Sequence, residues 1–349
     1  MTMNSAVPYY ADPVATNART VLSVLLIAAA GLVTDAVVGT RSIEAGSDTD
    51  VYADFFLSMR HGLVATRLEP GFTLLTRALS ATGMSVVAYQ AVLFALSLLA
   101  AGVAARRYFH HLGGVRGYLT FLTAALMLLF VSPMFVNASI NAVRQGMVAL
   151  LVFAALLSFQ HRQWRSFILF GAVASSFHYS SLLYLAFAPL LLINLRLQRI
   201  IAITGFLAYC TGLSMILVRT LAPSVYVDVM TYQLGATYRS GVRLDFAVFS
   251  LFWYLVPYLG SRLVREPFSS RIKQSASVYM VMVLPFFVLG WGNYSNRLLL
   301  APWVAVSLMM AAMLCNARTP ILRHPLLLRV GLVIASGVFC FYVTRGIMV

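Results

Sequence analysis

The feature that most constrains this chain is the recurrence of apolar runs long enough to cross a bilayer. Runs of about 17 to 25 residues, the length of helix that spans a hydrocarbon core, recur from residue 20 to the C-terminus. Of the 349 residues, 61% are hydrophobic and only 10% are charged, whereas roughly a quarter of the residues of a soluble domain are charged. The sequence therefore predicts an all-α, polytopic integral membrane protein, with one domain over residues 1–349.

The hydropathy pattern predicts nine helices and one bent helical pair, about 10 transmembrane helices in all. The predicted helices cover residues 20–39, 84–105, 118–136, 142–159, 200–218, 246–259, 276–291, 298–315 and 330–343. The bent pair is the apolar run 167–193, with His178 near its middle. A short segment over 70–81 is predicted not to cross fully, as a re-entrant or interfacial helix.

The net charge of +15 is explained by the positive-inside rule of membrane proteins and not by nucleic acid. Basic connections occupy residues 106–116, 161–165, 196–199, 262–273 and 318–329, and Glu266 is the one acidic residue in them. These connections and the N-terminal stretch 1–19 are predicted to be cytoplasmic, because Lys and Arg accumulate in cytoplasmic loops. Residues 40–83, with interfacial helices, and residues 219–245 then form two outer loops.

The residue types argue against a cofactor. Cys210, Cys315 and Cys340 lie in separate apolar runs without metal-ligand spacing. No glycine-rich phosphate loop precedes a helix, and no cytoplasmic connection is long enough for a nucleotide-binding domain. The apolar run continues past the weak cleavage match at residues 28–31, so the first helix is predicted to be an uncleaved span.

An unusually polar stretch, NASINAVRQ, leads into the apolar run at residue 142. Asn137, Asn141, Arg144 and Gln145 stand at helical spacing, so a helix would place them on one face. An intramembrane arginine costs roughly 2.5 to 3.5 kcal/mol on insertion scales unless it has a partner or water. Two interpretations stay open. Arg144 extends to the interface, or it binds a phosphate or diphosphate, whose oxygens suit a guanidinium.

Glu69 and His178 are the other polar residues that stand out. Glu69 precedes Pro70, so it is either the N-terminal cap of a helix or a fixed carboxylate able to act as a base. His178 lies among serines in an apolar run, where it either bonds a neighbouring helix or carries a proton, since imidazole titrates near neutral pH. The residue types alone do not choose between these roles.

The first outer loop contains DTD, in which Asp48 and Asp50 are either solvated or bind a cation or a phosphate-sugar. Asp50 and Asp54 alternate with Tyr52 and Phe56, which predicts an interfacial helix with an acidic and an aromatic face. Later outer segments add further cations and amides to the same rim. These are Arg239, Asn296 and Arg297, the last two in NYSNRL.

Four of these motifs occur in a fixed order over roughly residues 45–190: GSDTDVYADFF, EPGFTLL, NAVRQ at a helix start, and SFHYSSLLYL. This series resembles the EpsG-like family of polysaccharide polymerases, which are grouped with Wzy-type O-antigen and exopolysaccharide polymerases. The resemblance implies a GT-C-like membrane glycosyltransferase at the outer, periplasmic face of a bacterial cytoplasmic membrane. It also implies transfer of a growing glycan from undecaprenyl diphosphate to a lipid-linked repeat unit. The implied partners are undecaprenyl-diphosphate-linked oligosaccharides, the bilayer, and the chain-length regulator and flippase of the same pathway.

The resemblance points to positions, and the roles are inferred from the chemistry of each residue. Arg144, supported by the neighbouring amides of Asn137, Asn141 and Gln145, is expected to hold the diphosphate and stabilise it as it leaves. Arg297, Asn296 and Arg239 are expected to extend this clamp.

Glu69 is the first choice for the base that activates the acceptor hydroxyl, and His178 is the second choice or an orienting donor. No metal is expected, because arginines can neutralise the leaving group. Asp48 and Asp50 nevertheless keep a divalent cation open.

The same residue patterns are also compatible with other classes of protein. A flippase or transporter of lipid-linked oligosaccharides would also use broken helices and an arginine-lined cavity, although the hydropathy pattern contains no inverted repeat. An acyltransferase that uses His178 would need a route for a cytoplasmic donor. Within the glycosyltransferases, an O-antigen ligase or another polyprenyl-linked enzyme is the nearest alternative.

Overall fold

The computed structural model describes residues 17–46, 48–62, 66, 68–231, 240–293 and 295–346. Their α-helices are α1 (Asn17–Thr40), α2 (Thr49–Ser58), α3 (Pro70–Ala81), α4 (Val86–His111), α5 (Tyr118–Phe130), α6 (Pro133–Ile140), α7 (Val143–Gln160), α8 (Trp164–Phe177), α9 (Ser180–Ala186), α10 (Leu195–Cys210), α11 (Leu213–Leu221), α12 (Pro223–Thr231), α13 (Leu244–Gly260), α14 (Phe268–Leu289), α15 (Arg297–Cys315) and α16 (Pro325–Arg345). Short 3-10 helices cover Met59–His61, Ala188–Leu192, Ser261–Leu263 and Pro320–Arg323.

The predicted all-α, polytopic membrane architecture is confirmed. Among the described residues, 7 helices are long and apolar enough to cross a membrane, or up to 9 if each bent pair is one span. The single helices are α1, α4, α7, α13, α14, α15 and α16, and the bent pairs are α5–α6 and α10–α11. The prediction of about 10 spans also counted the run 167–193. This run forms α8 and α9, which are too short to span singly.

Two helices that were predicted to be continuous are broken. The helix predicted over 118–136 bends by 77° between α5 and α6. Pro133 takes the first position of α6 and Ser132 before it is extended, because proline disfavours a helical conformation at the preceding residue. The helix predicted over 200–218 bends by 90° between α10 and α11, at Thr211 and Gly212.

Several basic stretches that were predicted to be loops belong to helix ends. The last six residues of α4, the first turns of α10 and the first turns of α14 contain parts of 106–116, 196–199 and 262–273. The predicted helices were too short because hydropathy falls where arginines begin. An arginine can nevertheless lie within a helix, since its apolar stem packs along the helix while its guanidinium reaches water. Asn194 marks the true start of α10, since its Oδ1 accepts a hydrogen bond from Leu197 N at 2.8 Å.

The predicted outer segments also contain helices. In α2, Tyr52 and Phe56 are buried while Asp50 and Asp54 are exposed, which confirms the predicted aromatic and acidic faces. The segment 70–81 forms α3 with the predicted bounds. The loop predicted over 219–245 contains α12, and α13 begins before that loop was expected to end. Most of the N-terminal stretch 1–19 lies outside the described residues.

The bundle is built around α7. In its membrane-length window 83% of the residues are buried, against 22% for α1 and 33% for α16. Helix α7 packs against α4, α8 and α15, and α14 also contacts it. Because apolar side chains that face lipid need no protein partner, the little-buried helices α1, α13 and α16 are assigned to the periphery. The first turn of α7 is therefore held on several sides, which makes it a rigid place for polar side chains.

Helix α3 lies directly against the end of α8, and one glycine allows this approach. A Cβ atom at Gly71 would lie 2.6 Å from Ser176 Oγ and 2.7 Å from the Ser176 carbonyl oxygen. The second of these atoms belongs to the backbone, so it cannot rotate away. The contact brings the residue before α3 to the break between α8 and α9.

We therefore expect Gly71→Ala to lower the free energy of unfolding by about 1 to 3 kcal/mol, the usual cost of overpacking a close contact. Gly102→Ala is the matched control, because a Cβ there meets nothing within 4 Å and alanine favours a helix interior. The measurement is the thermal unfolding of both variants in detergent, followed by tryptophan fluorescence. Equal stability of the two variants would contradict the close packing of α3 on α8.

Candidate active site

Three candidate catalytic residues from distant parts of the chain meet beside the first turn of α7. Arg144 lies in that turn, Glu69 immediately precedes α3, and His178 lies at the break between α8 and α9. Arg144 Nη1 forms a hydrogen-bonded ion pair with Glu69 Oε2. His178 Nδ1 lies 2.8 Å from Glu69 Oε1. The structure thus brings together all three residues proposed for catalysis, with the carboxylate between the two nitrogen groups.

Glu69 is the centre of this network. It stands at the N-cap position of α3, as one interpretation predicted, but its side chain makes no capping hydrogen bond to that helix. Its Oε1 accepts instead from the Tyr179 backbone N–H at 3.1 Å. This N–H belongs to the break between the two helices, where His178 is extended (φ −159°, ψ 117°). The break therefore supplies both a ring and a backbone donor to one oxygen.

The surroundings of Glu69 favour its charged form. The residue is only 4% exposed, and burial by itself raises the pKa of a carboxyl group. The hydrogen bond from His178, a hydrogen bond from the backbone of Glu69 itself and the positive charge of Arg144 outweigh burial and lower the pKa of Glu69 to about 2. Glu69 is therefore a carboxylate at physiological pH. Because its conjugate acid is so strong, it is a weak base.

Aromatic side chains complete the pocket for Arg144. The Tyr52 hydroxyl accepts a hydrogen bond from Arg144 Nε at 3.4 Å, and the guanidinium carbon lies 5.5 Å from the centre of the Phe72 ring. Such rings attract a cation through their quadrupole. The sequence pattern predicted Tyr52 as part of an aromatic face. Its contact with Arg144 arises only because the tertiary structure brings α2 to the first turn of α7.

His178 keeps one ring nitrogen available. A carboxylate oxygen can only accept, so Nδ1 carries the proton that it donates to Glu69 Oε1. In the neutral ring Nε2 is then an acceptor, and it has no hydrogen-bond partner among the described residues. The His178 side chain as a whole is 23% exposed. A carboxylate that orients an imidazole in this way is a common arrangement for proton transfer.

The four polar side chains of NASINAVRQ do not form the single face that was predicted. Helix α6 ends at Ile140 and α7 begins at Val143, so the segment is broken. Asn141 Nδ2 donates to Asn137 Oδ1 at 2.7 Å, which keeps both amides at the end of α6. Arg144 faces Glu69, whereas Gln145 is buried and points toward α15. A single face would have required one continuous helix, and even there the consecutive residues Arg144 and Gln145 would point about 100° apart.

Gln145 makes a hydrogen bond that positions Arg297, another candidate residue. Its Nε2 donates to the backbone carbonyl of Arg297, the first residue of α15. One residue later, the Leu298 carbonyl accepts from the Tyr184 hydroxyl at 3.1 Å. Pro302 explains this second contact, because a proline has no N–H for the carbonyl four residues earlier. Tyr184 was missed by sequence reasoning, although Pro302 signals a free carbonyl at residue 298.

The remaining predicted residues are spread around this site. Arg297 forms an ion pair with Asp48, with Nη2 and Oδ2 3.7 Å apart. Asp50 is exposed, and its Oδ1 accepts from the N–H of Val51 in its own helix. Asn296 precedes α15, and its Oδ1 is buried without a hydrogen-bond partner among the described residues. Arg239 lies outside the described residues.

The acidic residues at the site do not assemble into a metal centre. Within the described part of the chain, no group of three or more His, Cys, Asp or Glu side chains could hold a metal ion. Asp48 is instead paired with Arg297. The arrangement offers two elements of chemistry: a guanidinium held at the start of α7, and an imidazole oriented by a carboxylate.

We expect Arg144→Ala to lower the free energy of unfolding by about 3 to 5 kcal/mol, because it leaves the buried Glu69 carboxylate without its cation. Arg243→Ala is the control, since Arg243 forms a similar ion pair with the exposed Asp245, worth at most about 1 kcal/mol. The double variant Arg144→Ala/Glu69→Gln should recover part of the loss, because no unpaired charge remains. Thermal unfolding of the four proteins tests this, and a double variant less stable than Arg144→Ala would contradict it.

The lowered pKa of Glu69 also predicts how stability depends on pH. A carboxyl group with a folded-state pKa of about 2 and an unfolded-state value near 4.3 stabilises the protein fully above the higher value. This contribution is lost as the pH falls toward the lower value. The difference in melting temperature between the wild type and Glu69→Gln should therefore be largest at pH 7 and smaller at pH 3. A difference that grows on acidification would contradict the network.

Among known proteins, the chain matches a family. No curated protein and no solved structure matches the chain significantly. The model of the EpsG family matches residues 24–348, which is nearly the whole chain. This range contains the site and every described helix from α2 to α16. The chain belongs to the EpsG family and is a membrane protein of the polysaccharide polymerase type.

Proposed function

We propose that the protein is a glycosyltransferase that polymerises lipid-linked repeat units at the outer face of a bacterial cytoplasmic membrane. The donor is a growing glycan on undecaprenyl diphosphate, and the acceptor is a hydroxyl group of the next lipid-linked unit. The observation that carries the proposal is the Arg144–Glu69–His178 network, in a chain of the EpsG family. It provides a cation for the leaving diphosphate and a base for the acceptor.

In this proposal the base is His178, and Glu69 is a positioning residue. Glu69 was the first choice from sequence, but its ion pair with Arg144 and its lowered pKa make it a weak base. Its carboxylate accepts the Nδ1 proton of His178 and so leaves Nε2 directed away as an acceptor. Nε2 removes the proton of the acceptor hydroxyl as its oxygen attacks the anomeric carbon of the donor sugar.

Arg144 stabilises the other half of the same step. As the new glycosidic bond forms, the bond between the anomeric carbon and the diphosphate oxygen breaks, and undecaprenyl diphosphate leaves with the bonding electrons. Arg144 uses Nη1 for Glu69 and Nε for Tyr52, so the N–H groups of Nη2 remain for the phosphate oxygens. Arg297 supplies a second cation once diphosphate competes with Asp48. The proton taken up by His178 is released to solvent after the product departs.

The charge distribution supports an outward orientation. Arg144 lies at one end of α7, and the other end leads into the basic segment 161–165. The last turns of α4 carry basic residues at that second end as well. Because positively charged connections are retained in the cytoplasm, the Arg144 end is assigned to the outer side.

The test is polymer formation by the purified protein from undecaprenyl-diphosphate repeat units in liposomes, with and without EDTA. We expect a ladder of products that survives EDTA, a loss of about 10²- to 10³-fold for Arg144→Ala, and a loss of about 10²- to 10⁴-fold for His178→Ala. Arg77→Ala is the control with unchanged activity, because this arginine is exposed on α3 and outside the network.

Added imidazole separates the two candidate bases in the same assay. It should restore part of the activity of His178→Ala and none of that of Glu69→Gln, because only the first variant lacks the proton acceptor. Rescue of Glu69→Gly by formate, without rescue of His178→Ala by imidazole, would return the base role to Glu69. A single added sugar would indicate a transferase, and transfer to an unrelated acceptor would indicate a ligase. No product, together with movement of the lipid-linked unit across the vesicle membrane, would overturn the proposal in favour of a flippase.

A further inference from the structure

A second cluster of cationic side chains lies at the opposite end of the bundle from Arg144. It surrounds a cavity of about 310 Å³ between the end of α4, the α7–α8 connection and the start of α14. Its basic lining residues are Arg107, His110, His111, His161 and Arg271. None of the described residues lining the cavity is acidic. Helix α7 has 18 residues, so about 27 Å separates this cavity from the Arg144 site.

The histidines of this cavity are held in place by hydrogen bonds. His111 is 8% exposed, and its Nε2 lies 3.1 Å from the backbone carbonyl of Arg271, so it donates to that oxygen. His111 Nδ1 is then an acceptor and lies 2.5 Å from His161 Nε2, which donates to it. His161 itself is exposed. Three segments distant in sequence are thereby joined through two imidazoles and the Arg271 backbone.

The arginines are held together without a compensating carboxylate. Arg107 Nη2 is buried and has no hydrogen-bond partner among the described residues. The guanidinium of Arg271 packs onto the α4–α5 turn, where a Cβ at Gly113 would clash with its Nη1 atom. Burial, together with the charges of Arg107 and Arg271, lowers the pKa of His161, as expected in a positive potential. Like charges gathered in this way repel each other unless an anion joins them.

We propose that this cavity is a binding site for a phosphate group carried by a phosphate ester. The donors suit such an anion because the guanidinium groups of Arg107 and Arg271 bind phosphate oxygens in bidentate fashion, and the exposed His110 imidazole can add one N–H. The volume lies within the range of small-molecule sites, so the phosphate is accommodated with part of the organic group that carries it. The ester is either the headgroup of an anionic phospholipid in the adjacent leaflet or a soluble molecule. The site shares no residue with the Arg144 network.

The test measures saturable binding to the purified full-length protein in an uncharged detergent. The probes are glycerol 3-phosphate for a soluble ester, dihexanoyl phosphatidic acid for an anionic lipid headgroup, and dihexanoyl phosphatidylcholine as the neutral-headgroup comparison. We expect one of the first two probes, or both, to bind to the wild type and raise its melting temperature. Arg107→Gln and Arg271→Gln should each weaken binding at least about tenfold.

Two further variants distinguish a loss of phosphate binding at the cavity from a loss caused by misfolding. Arg106→Gln removes a neighbouring exposed charge that does not line the cavity, and it should leave the affinity within about twofold of wild type. Gln163→Glu places a carboxylate at the exposed rim, so it should weaken phosphate binding without lowering the melting temperature of the free protein.

Dependence on Arg107 distinguishes this cavity from phosphate binding at Arg144, so failure here does not count against the polymerase proposal. Binding of glycerol 3-phosphate alone supports a soluble ester, binding of phosphatidic acid alone supports a headgroup, and binding of both supports recognition of the phosphate itself. Absence of saturable binding, or equal weakening by Arg106→Gln and Arg107→Gln, would overturn the proposal.

Discussion

The buried carboxylate of Glu69 is the constraint on which the arrangement of the site depends. A carboxylate removed from water is costly unless it is paired and hydrogen-bonded. Glu69 meets this need with a guanidinium from α7, an imidazole from the α8–α9 break and a backbone N–H from the same break. These partners come from positions 75 to 110 residues away in sequence. Satisfying one charged group thus fixes how α3, α7 and α8 lie relative to each other.

Several polar contacts of the site are made where a helix is broken or contains a proline. An unbroken helix uses its own backbone groups internally, and in lipid these groups have few other partners. The break at His178 frees the Tyr179 N–H for Glu69, and Pro302 frees the Leu298 carbonyl for Tyr184. In both places a side chain stabilises the irregularity by pairing with the backbone group that was released.

The two ends of α7 carry different electrostatic environments. At its start the cation is balanced by a carboxylate and surrounded by aromatic rings. Past its end the described cationic residues line a cavity that no carboxylate enters. Under the polymerase proposal, the first environment suits a diphosphate that leaves after reaction, because Glu69 still pairs with Arg144 when the anion is gone. The second would suit an anion that stays bound, since no described lining residue offsets the positive charge of Arg107 and Arg271.

Much of this protein was decided by local sequence. The length and hydropathy of the apolar runs predicted a helical bundle in the membrane, because no other single-segment structure satisfies its own backbone in lipid. The polar residues at Glu69, Arg144 and His178 were recognisable as candidates because each is unusual next to an apolar run. The amphipathic pattern of α2 and the half-helices around His178 were also predicted correctly.

Only the tertiary structure decided how these residues are paired. Sequence spacing placed Asn137, Asn141, Arg144 and Gln145 on one face of a continuous helix, but the break between α6 and α7 separates the two asparagines from Arg144 and Gln145. Glu69 was the first choice for the base from sequence, and its ion pair with Arg144 is what led to the proposal that His178 is the base. The cationic cavity was not predicted, because its residues belong to three segments that look like ordinary basic loops. Periodicity determines which residues share a helix face, whereas the partner of a charge depends on contacts between segments far apart in the chain.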